Sequence, residues 1–204
     1  ERQALPLHLC TAPLKSAMIG FAAGVLWLGI ATGVLLLTGT MHITGYQQVP
    51  LLGLWILSAL LNTVMQELLI RGYLYQLIKA QYSTAAAAIA TTALFTFLHG
   101  GALEAGIIPT FNVVTMSLLM VLVLEYTQSL LAPMVMHFLW NCIGGILLGG
   151  VSLAEDYPQL CQTEFTGSVL LSGGAPKMEG SIVVLFLNLL LIAGFAALLK
   201  KRKQ

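Results

Sequence analysis

The amino-acid sequence predicts an all-α integral membrane protein, a polytopic bundle of about six transmembrane helices in a single domain of residues 1–204. Two observations carry this prediction. The chain is 58% hydrophobic and only 8% charged, whereas soluble domains carry about 25% charged residues. Its apolar residues also fall into long runs, several of which approach the roughly 20 residues that a helix needs to cross a bilayer.

The predicted spans follow one another along the chain. The second is the longest, and the motif-bearing core is expected over about 51–150. The one long connection, about 149–180, contains Pro, Gly, Ser and four acidic residues and is expected to be an extracytoplasmic loop. The six spans cover about residues 17–38, 51–78, 84–98, 106–124, 130–148 and 181–199.

The placement of the basic residues predicts the orientation. If the N-terminus is cytoplasmic, eight of the nine Lys and Arg residues lie on or near the inner side, and only Lys177 lies outside. Basic residues are enriched on the cytoplasmic side of membrane proteins. Both termini are therefore predicted to be cytoplasmic, and Cys161 in the outer loop is expected to react with a membrane-impermeant reagent, unlike Cys10.

Glycines recur four residues apart within the first and fifth spans, and small residues at this spacing let membrane helices approach closely. These pairs, which are expected to pack the bundle, are Gly20/Gly24, Gly29/Gly33 and Gly145/Gly149.

Other features exclude several classes of protein. The net charge of +1 gives no indication of a nucleic-acid partner. The three cysteines, at unrelated spacings, predict neither a disulfide framework nor a metal site. No inverted repeat is visible, which disfavours a transporter. Because the first residue is Glu1, we expect a fragment or a processed product, and the first apolar run is too long for a cleavable signal peptide.

Three polar residues, Gln66, Glu67 and Arg71, stand in the middle of the second span, in the stretch VMQELLIRGYLYQ. An ionisable group at the bilayer centre costs about 2.5–3.5 kcal/mol on insertion scales, so such groups face a bundle interior or a wet cavity. Glu67 and Arg71 are four residues apart and are expected to pair. By itself, the pair is explained equally well by a functional role and by an ion pair that lowers the cost of inserting the helix into the membrane.

Two further spans carry polar groups. His99 ends the third span, where two glycines follow it, and a lone histidine there is more often a residue of the membrane edge. His137 and Asn141 share a face of the fifth span. Taken alone, the two side chains are best explained as partners in hydrogen bonds between helices, which hold the bundle together.

The combination favours a functional site. If the three spans converge, they bring together a carboxylate, two imidazoles, a guanidinium and an amide. A carboxylate with a histidine can activate water, and Asn with a second His can stabilise an oxyanion. Alternatively, Glu67, His99 and His137 hold a divalent metal such as zinc, which would activate the water itself.

The stretches QELLIRG, FTFLH and HFLWN resemble, in this order, the three motifs of the CPBP family of intramembrane proteases, also called the CAAX-protease or Abi family. The family pattern is EExxxR, FxxxH and Hxxx(N/D), each on a separate membrane helix. The resemblance covers about residues 51–150 and implies a polytopic helical fold and a peptidase activity. Type II CAAX prenyl proteases, which remove the last three residues of prenylated proteins, are members, and some bacterial members act in bacteriocin immunity or maturation.

The resemblance also implies roles for individual residues. Glu67 and Arg71 match the first motif. His99 matches the histidine that, in the family, works with the first-motif carboxylate around a water or a metal. His137 and Asn141 match the third motif and are expected to stabilise the transition state or to serve as further ligands.

The chain departs from the pattern at Gln66, where the family usually has the glutamate that activates water. Glutamine has the same shape but cannot accept a proton. This is either a natural variant in which Glu67 takes over, an engineered inactivation, or a non-catalytic relative. A natural variant is favoured, because a carboxylate remains next door.

The sequence thus predicts an endopeptidase of the inner (plasma) membrane of a bacterium that cleaves a membrane-associated protein or peptide, within the lipid bilayer and without a nucleic-acid partner. Its buried polar site is expected to open toward the cytoplasmic half. The alternative is a catalytically silent binding or immunity-type protein of the same family.

Overall fold

The computed structural model describes residues 12–151 and 157–202 of the chain. Within them, four helices are long and apolar enough to cross a membrane, and two shorter apolar helices accompany them. The shorter ones are Thr84–Leu98 and Leu131–Leu147. The prediction of an all-α, multi-pass membrane bundle is confirmed, although two of the six predicted spans fall short of the usual spanning length.

The helices match the predicted spans closely. They are α1 Pro13–Leu37, α2 Leu52–Glu67, α3 Tyr75–Gln81, α4 Thr84–Leu98, α5 Gly100–Ala105, α6 Ile107–Thr127, α7 Leu131–Leu139, α8 Val169–Ser172 and α9 Ile182–Arg202. A π-helical segment, Leu68–Leu74, joins α2 to α3, and a second, Trp140–Leu147, continues α7. Both π segments begin beside a polar motif, and such segments are frequent at functional sites.

Helix α1 packs closely against α7 because glycines open its surface. A Cβ added at Gly20 would overlap the backbone of Ala132, and one at Gly24 would crowd the side chain of Leu139. One turn further along, the indole rings of Trp27 and Trp140 stack with centroids 4.2 Å apart. This close contact therefore lies directly behind the third motif.

The packing role predicted for the second glycine pair of α1 is wrong. Among the described residues, no atom lies within 4 Å of a Cβ built at Gly29 or Gly33. Both glycines lie on a side of α1 that faces away from the bundle, and the spacing of small residues cannot by itself indicate which side is packed.

Helix α6 forms the centre of the bundle, in contact with α4, α7 and α9. Its residues Leu119, Met120 and Val123 are completely buried. Two asparagines fasten α9 to α6, because Asn188 Nδ2 donates to Thr115 Oγ1 at 2.9 Å and to the carbonyl of Asn112 at 3.3 Å.

Two segments predicted as loops contain the only sheet of the described residues. Strand β1, Met41–Tyr46, pairs antiparallel with β2, Cys161–Phe165. The pairing agrees with the expectation that both segments lie at one end of the bundle. Cys161, the first residue of β2, is only 7% exposed, so the prediction that it reacts with an external thiol reagent is wrong, since its side chain is buried. Cys10 lies outside the described residues.

Gly20 gives a direct test of the α1–α7 contact. The change Gly20→Ala is expected to destabilise the bundle by about 1–3 kcal/mol, because the added methyl group has no room beside Ala132. Gly29→Ala, on the open side of the same helix, is expected to be neutral or slightly stabilising. Thermal unfolding of both variants in one detergent compares them, and equal unfolding midpoints would contradict the packing described here.

Candidate active site

The carboxylate of Glu67 is at the centre of a buried polar network. Its Oε1 accepts hydrogen bonds from Arg71 Nη1 at 2.9 Å and from His137 Nδ1 at 2.8 Å. Glu67 and Arg71 are completely buried, and His137 is 2% exposed. The first and third motifs therefore meet at one carboxylate oxygen.

The network continues into the neighbouring helices through Arg71. Its Nη2 donates to Ser117 Oγ of α6 at 2.8 Å, and this hydroxyl donates to Thr92 Oγ1 of α4 at 3.2 Å. The guanidinium also lies 4.2 Å from the ring centroid of Phe95. A buried charge needs such partners, because removing it from water costs several kcal/mol.

The ring of Phe95 brings the second motif to the other two. Its centroid lies 4.2 Å from that of His99 and 6.0 Å from that of His137. His99 follows the last residue of α4, and its Nδ1 donates to the carbonyl of Phe95 at 2.8 Å. This bond fixes the imidazole and leaves Nε2 for a ligand. As predicted, α4 ends here, but Gly100 begins the short helix α5.

Asn141 lies one turn beyond His137. Its Nδ2 lies 3.4 Å from Thr63 Oγ1 of α2, within hydrogen-bonding distance. This contact ties the start of the second π segment to the helix that carries Glu67. The carboxamide oxygen does not take part in this bond, so it can accept a hydrogen bond from a ligand and orient it.

Four of the six predicted site residues border one cavity of about 130 Å³. They are Gln66, His99, His137 and Asn141. A larger and mainly apolar groove of about 470 Å³ adjoins it and shares Gln66, Phe95 and His99 with it. The polar cavity can hold a few waters or the backbone of a peptide, and the groove can hold an apolar chain.

The other two predicted residues, Glu67 and Arg71, do not line this cavity. Glu67 reaches it only through His137. Its second oxygen, Oε2, is buried with no hydrogen-bond partner among the described residues. Gln66, one position earlier, points to the cavity side, and its Nε2 donates to Asn62 Oδ1 at 3.2 Å.

Sequence reasoning missed five polar or aromatic residues of the cavity wall: Asn62, Phe95, Trp140, Tyr157 and Glu179. Two of them belong to the long segment between the fifth and sixth spans, where no periodicity indicates which residues turn inward. Asn62 carried a usable signal, because it precedes Gln66 by one helical turn and shares its face.

The cavity lies toward the end of the bundle that carries the sheet, because Tyr157 and Glu179 help to line it. At the opposite end, Lys15, Lys201 and Arg202 border a common surface pocket. The two predictions, of cytoplasmic termini and of a site that opens toward the cytoplasmic half, therefore cannot both hold, and the side of the membrane stays a prediction. Helix α4 starts near the end of the bundle that carries these basic residues. His99, at the other end of α4, must therefore lie away from them.

A zinc site was the alternative explanation of Glu67, His99 and His137. Within residues 12–151 and 157–202, no group of three or more His, Cys, Asp or Glu side chains is arranged to hold a metal ion. The oxygen of Glu67 that faces His137 is already bound by Arg71. Zinc binding stays a prediction.

One comparison with known proteins found a match. A family model described as type II CAAX prenyl endopeptidase Rce1-like matches residues 48–143, slightly less than half of the chain. The matched segment contains all three motifs, and it confirms the resemblance to the CPBP family. No curated protein and no solved structure matches the chain.

Arg71 is expected to have a mainly structural role. The change Arg71→Ala leaves the buried carboxylate of Glu67 without its cation, and breaking a buried pair in this way costs about 3–5 kcal/mol. The yield of monodisperse protein and its unfolding midpoint should both fall. Lys79→Ala is the matched control, because it removes the partly exposed Lys79–Glu125 pair, with N···O 2.5 Å, which is worth about 0–1 kcal/mol.

Normal accumulation of Arg71→Ala with a selective loss of activity would contradict this role. Arg71 would then be better explained as a binder of a substrate carboxylate, since a guanidinium recognises that group with two parallel hydrogen bonds.

Proposed function

With residues 48–143 matched to the type II CAAX prenyl endopeptidase family, we propose that the protein is an intramembrane endopeptidase. Its substrate is a membrane-associated protein or peptide whose scissile bond enters the polar cavity. The observation that carries this proposal is that residues of all three motifs border one cavity inside an apolar bundle.

The hydrogen bonds suggest how the two imidazoles take part. A carbonyl or carboxylate oxygen can only accept, so Nδ1 of His99 and Nδ1 of His137 each act as the donor in their bonds to Phe95 and Glu67. In the neutral rings, Nε2 then has the free lone pair and can accept a proton and pass it to the leaving nitrogen. A carboxylate that holds one histidine nitrogen so that the other can act is the arrangement of the serine-protease triad.

Asn141 and Glu67 have supporting roles in this proposal. The carboxamide of Asn141 donates to the oxygen of the scissile carbonyl as negative charge develops on it, a contact typically worth 10²–10³-fold in rate. Glu67, which does not touch the cavity, orients His137. This assignment replaces the expectation that Glu67 itself takes the proton from water.

The adjoining groove fits an apolar part of the substrate. Met65, Leu69, Ile70 and Leu98 contribute to its wall, and it meets the polar cavity at Gln66 and His99. A chain bound in the groove would therefore present the neighbouring peptide bond to the imidazoles. Such a substrate agrees with a membrane-associated peptide that carries a lipid or an apolar segment.

A catalytically silent binding protein is the second candidate, and Gln66 is the observation that favours it. At this cavity position the family usually has a proton-accepting glutamate. A protein that has lost this group can still bind a peptide in the same cavity and groove.

Cleavage of a fluorogenic peptide in detergent tests the activity. Two probes, a farnesylated peptide with a C-terminal CAAX sequence and its unprenylated form, separate lipid dependence from peptide dependence. His99→Ala is expected to lower kcat by about 10²–10⁴-fold, the usual contribution of a positioned acid or base. His42→Ala is the matched control, because His42 is exposed on β1, and it should leave the rate unchanged. A chelator in the same assay tests the zinc prediction, which a loss of activity restored by zinc would support.

If the wild type cleaves neither probe but binds the labelled peptide, and His99→Ala binds it equally well, the peptidase proposal fails. The binding-protein alternative would then be the better explanation.

The side of the membrane on which substrate enters follows from the orientation. If the basic end is cytoplasmic, as the charge bias predicts, the cavity lies toward the outer face. Single cysteines test this in a Cys10→Ser background, in which Cys142 and Cys161 are buried. Glu164→Cys, on the exposed side of β2, should react with an impermeant maleimide on intact cells. Lys200→Cys, near the end of α9, should react only after permeabilisation, and the reverse pattern would invert the orientation.

A further inference from the structure

We propose that Glu179 is a catalytic residue of the cavity, the general base that accepts a proton from the attacking water. This assignment rests on the proposed peptidase activity and adds to it a residue that lies outside all three motifs. Glu179 stands in the 3₁₀ turn Met178–Gly180, directly before α9, and 36 residues or more separate it along the chain from every motif.

Glu179 is the single carboxylate among the described residues that line the polar cavity. It is 9% exposed, although it comes from a segment that the sequence predicts to be an outer loop. Gln66 lines the same cavity but cannot accept a proton. Glu67 has the right chemistry, but it lies outside the cavity and binds Arg71 and His137 through one oxygen. The family motif usually has a carboxylate at the position of Gln66. Among the described residues of this cavity, Glu179 is the carboxylate that can replace it.

Two sets of contacts hold Glu179 in position. Asn112 of α6 donates from Nδ2 to the backbone carbonyl of Glu179 at 2.8 Å and to that of Ser181 at 3.1 Å. Asn188 of α9 donates in turn to the carbonyl of Asn112 at 3.3 Å. These hydrogen bonds hold the backbone of the turn that carries Glu179 to α6 and, through Asn188, to α9.

The carboxylate itself is tied to the helix of the third motif. The indole Nε1 of Trp140 donates to Glu179 Oε1 at 3.3 Å. Trp140 lies between His137 and Asn141 in sequence and is held by its stacking on Trp27. A fixed orientation of this kind is what a base needs in order to receive a proton from a bound water.

A merely structural role explains this arrangement less well. The indole N–H of Trp140 would be satisfied by a backbone carbonyl or by a glutamine, neither of which carries a charge. Placing an ionisable carboxylate in a nearly buried site costs free energy, and strongly perturbed or buried carboxylates cluster at functional sites. A carboxylate at this place in the cavity wall is explained if the group works on a reactant.

The reaction balances with Glu179 as the base. One O–H bond of water breaks, its proton passes to the carboxylate, and the water oxygen forms a bond to the carbonyl carbon of the substrate. The carbonyl π electrons move to oxygen, which Asn141 stabilises. When the carbonyl re-forms, the C–N bond breaks, and the leaving nitrogen takes the proton that Glu179 received, directly or through Nε2 of an imidazole. The products are a carboxylic acid and an amine.

The test compares Glu179→Gln with Glu164→Gln in the fluorogenic peptide assay. Glutamine keeps an acceptor for the Trp140 N–H but cannot take a proton, so kcat is expected to fall about 10²–10⁴-fold with an unchanged unfolding midpoint. The acidic limb of the pH profile of kcat/KM, which reports the free enzyme's base, should also change. Glu164 lies in the same segment but is exposed on β2, and its variant should behave as wild type.

A double variant tests whether the cavity needs a carboxylate, whichever residue carries it. In Glu179→Gln with Gln66→Glu, the charge returns to the same cavity from the α2 side, and part of the lost rate should return. If Glu179→Gln does not fold, Glu179→Asp keeps the charge but withdraws it by one methylene. The catalytic role then predicts at least a tenfold lower kcat, because displacing a reacting group by about 1 Å can cost 10²-fold.

The outcomes separate the two proposals. A wild type that cleaves no probe removes the peptidase activity and this assignment with it. A wild type that cleaves, with Glu179→Gln within threefold of it and the same pH profile, overturns only the role of Glu179. The same holds if Glu179→Gln does not fold and Glu179→Asp has the wild-type kcat.

Discussion

The hydrogen bonds to the carboxylate of Glu67 are the interaction on which the rest of the structure depends. One oxygen binds the guanidinium of Arg71 on its own helix and the imidazole of His137 on α7. Arg71 extends the same network to Ser117 of α6, and Ser117 extends it to Thr92 of α4. A charge inside an apolar bundle is tolerated only with such partners. The need to satisfy it therefore brings four helices to one point and fixes the distance between the motifs.

Neighbouring positions on one helix have divided structural and chemical tasks. Successive residues differ by about 100° around a helix, so Gln66 faces the cavity while Glu67 faces the network. The ionised group is thus kept away from water, and the neutral one borders it. This division explains why the charged residue of the first motif can stabilise the fold although it does not touch the space in which a substrate would bind.

The two ends of the bundle also differ in their residues and in their structure. One end carries Lys15, Lys201 and Arg202 around a surface pocket. The other carries the two-stranded sheet and the turn of Glu179, and the polar cavity lies on that side. Tyr157 and the turn of Glu179 line the cavity on this side, so residues that look like connections in the sequence supply part of its wall.

The sequence by itself determined the helices and the motif residues of the site. Apolar runs dictate spans because the bilayer leaves backbone groups no other partner, and the predicted boundaries agree with the helices to within a few residues. The spacing of four residues likewise dictated the Glu67–Arg71 pair and the shared face of His137 and Asn141, since both are local properties of a helix. The three motifs, in order, were sufficient to indicate the resemblance to the CPBP family, which the family model confirms over residues 48–143.

Only the tertiary structure decided which polar groups meet and on which side. Spacing within a helix cannot show that Gly20 packs while Gly29 does not, or that His137 binds Glu67 and thereby occupies it. It also cannot show that a segment between two spans turns Glu179 inward, because such a segment has no periodicity that records what it packs against. These features depend on contacts between residues far apart in the chain, 39 positions for Trp140 and Glu179 and 70 for Glu67 and His137. Such contacts exist only after the helices have assembled, and so no local pattern in the chain encodes them.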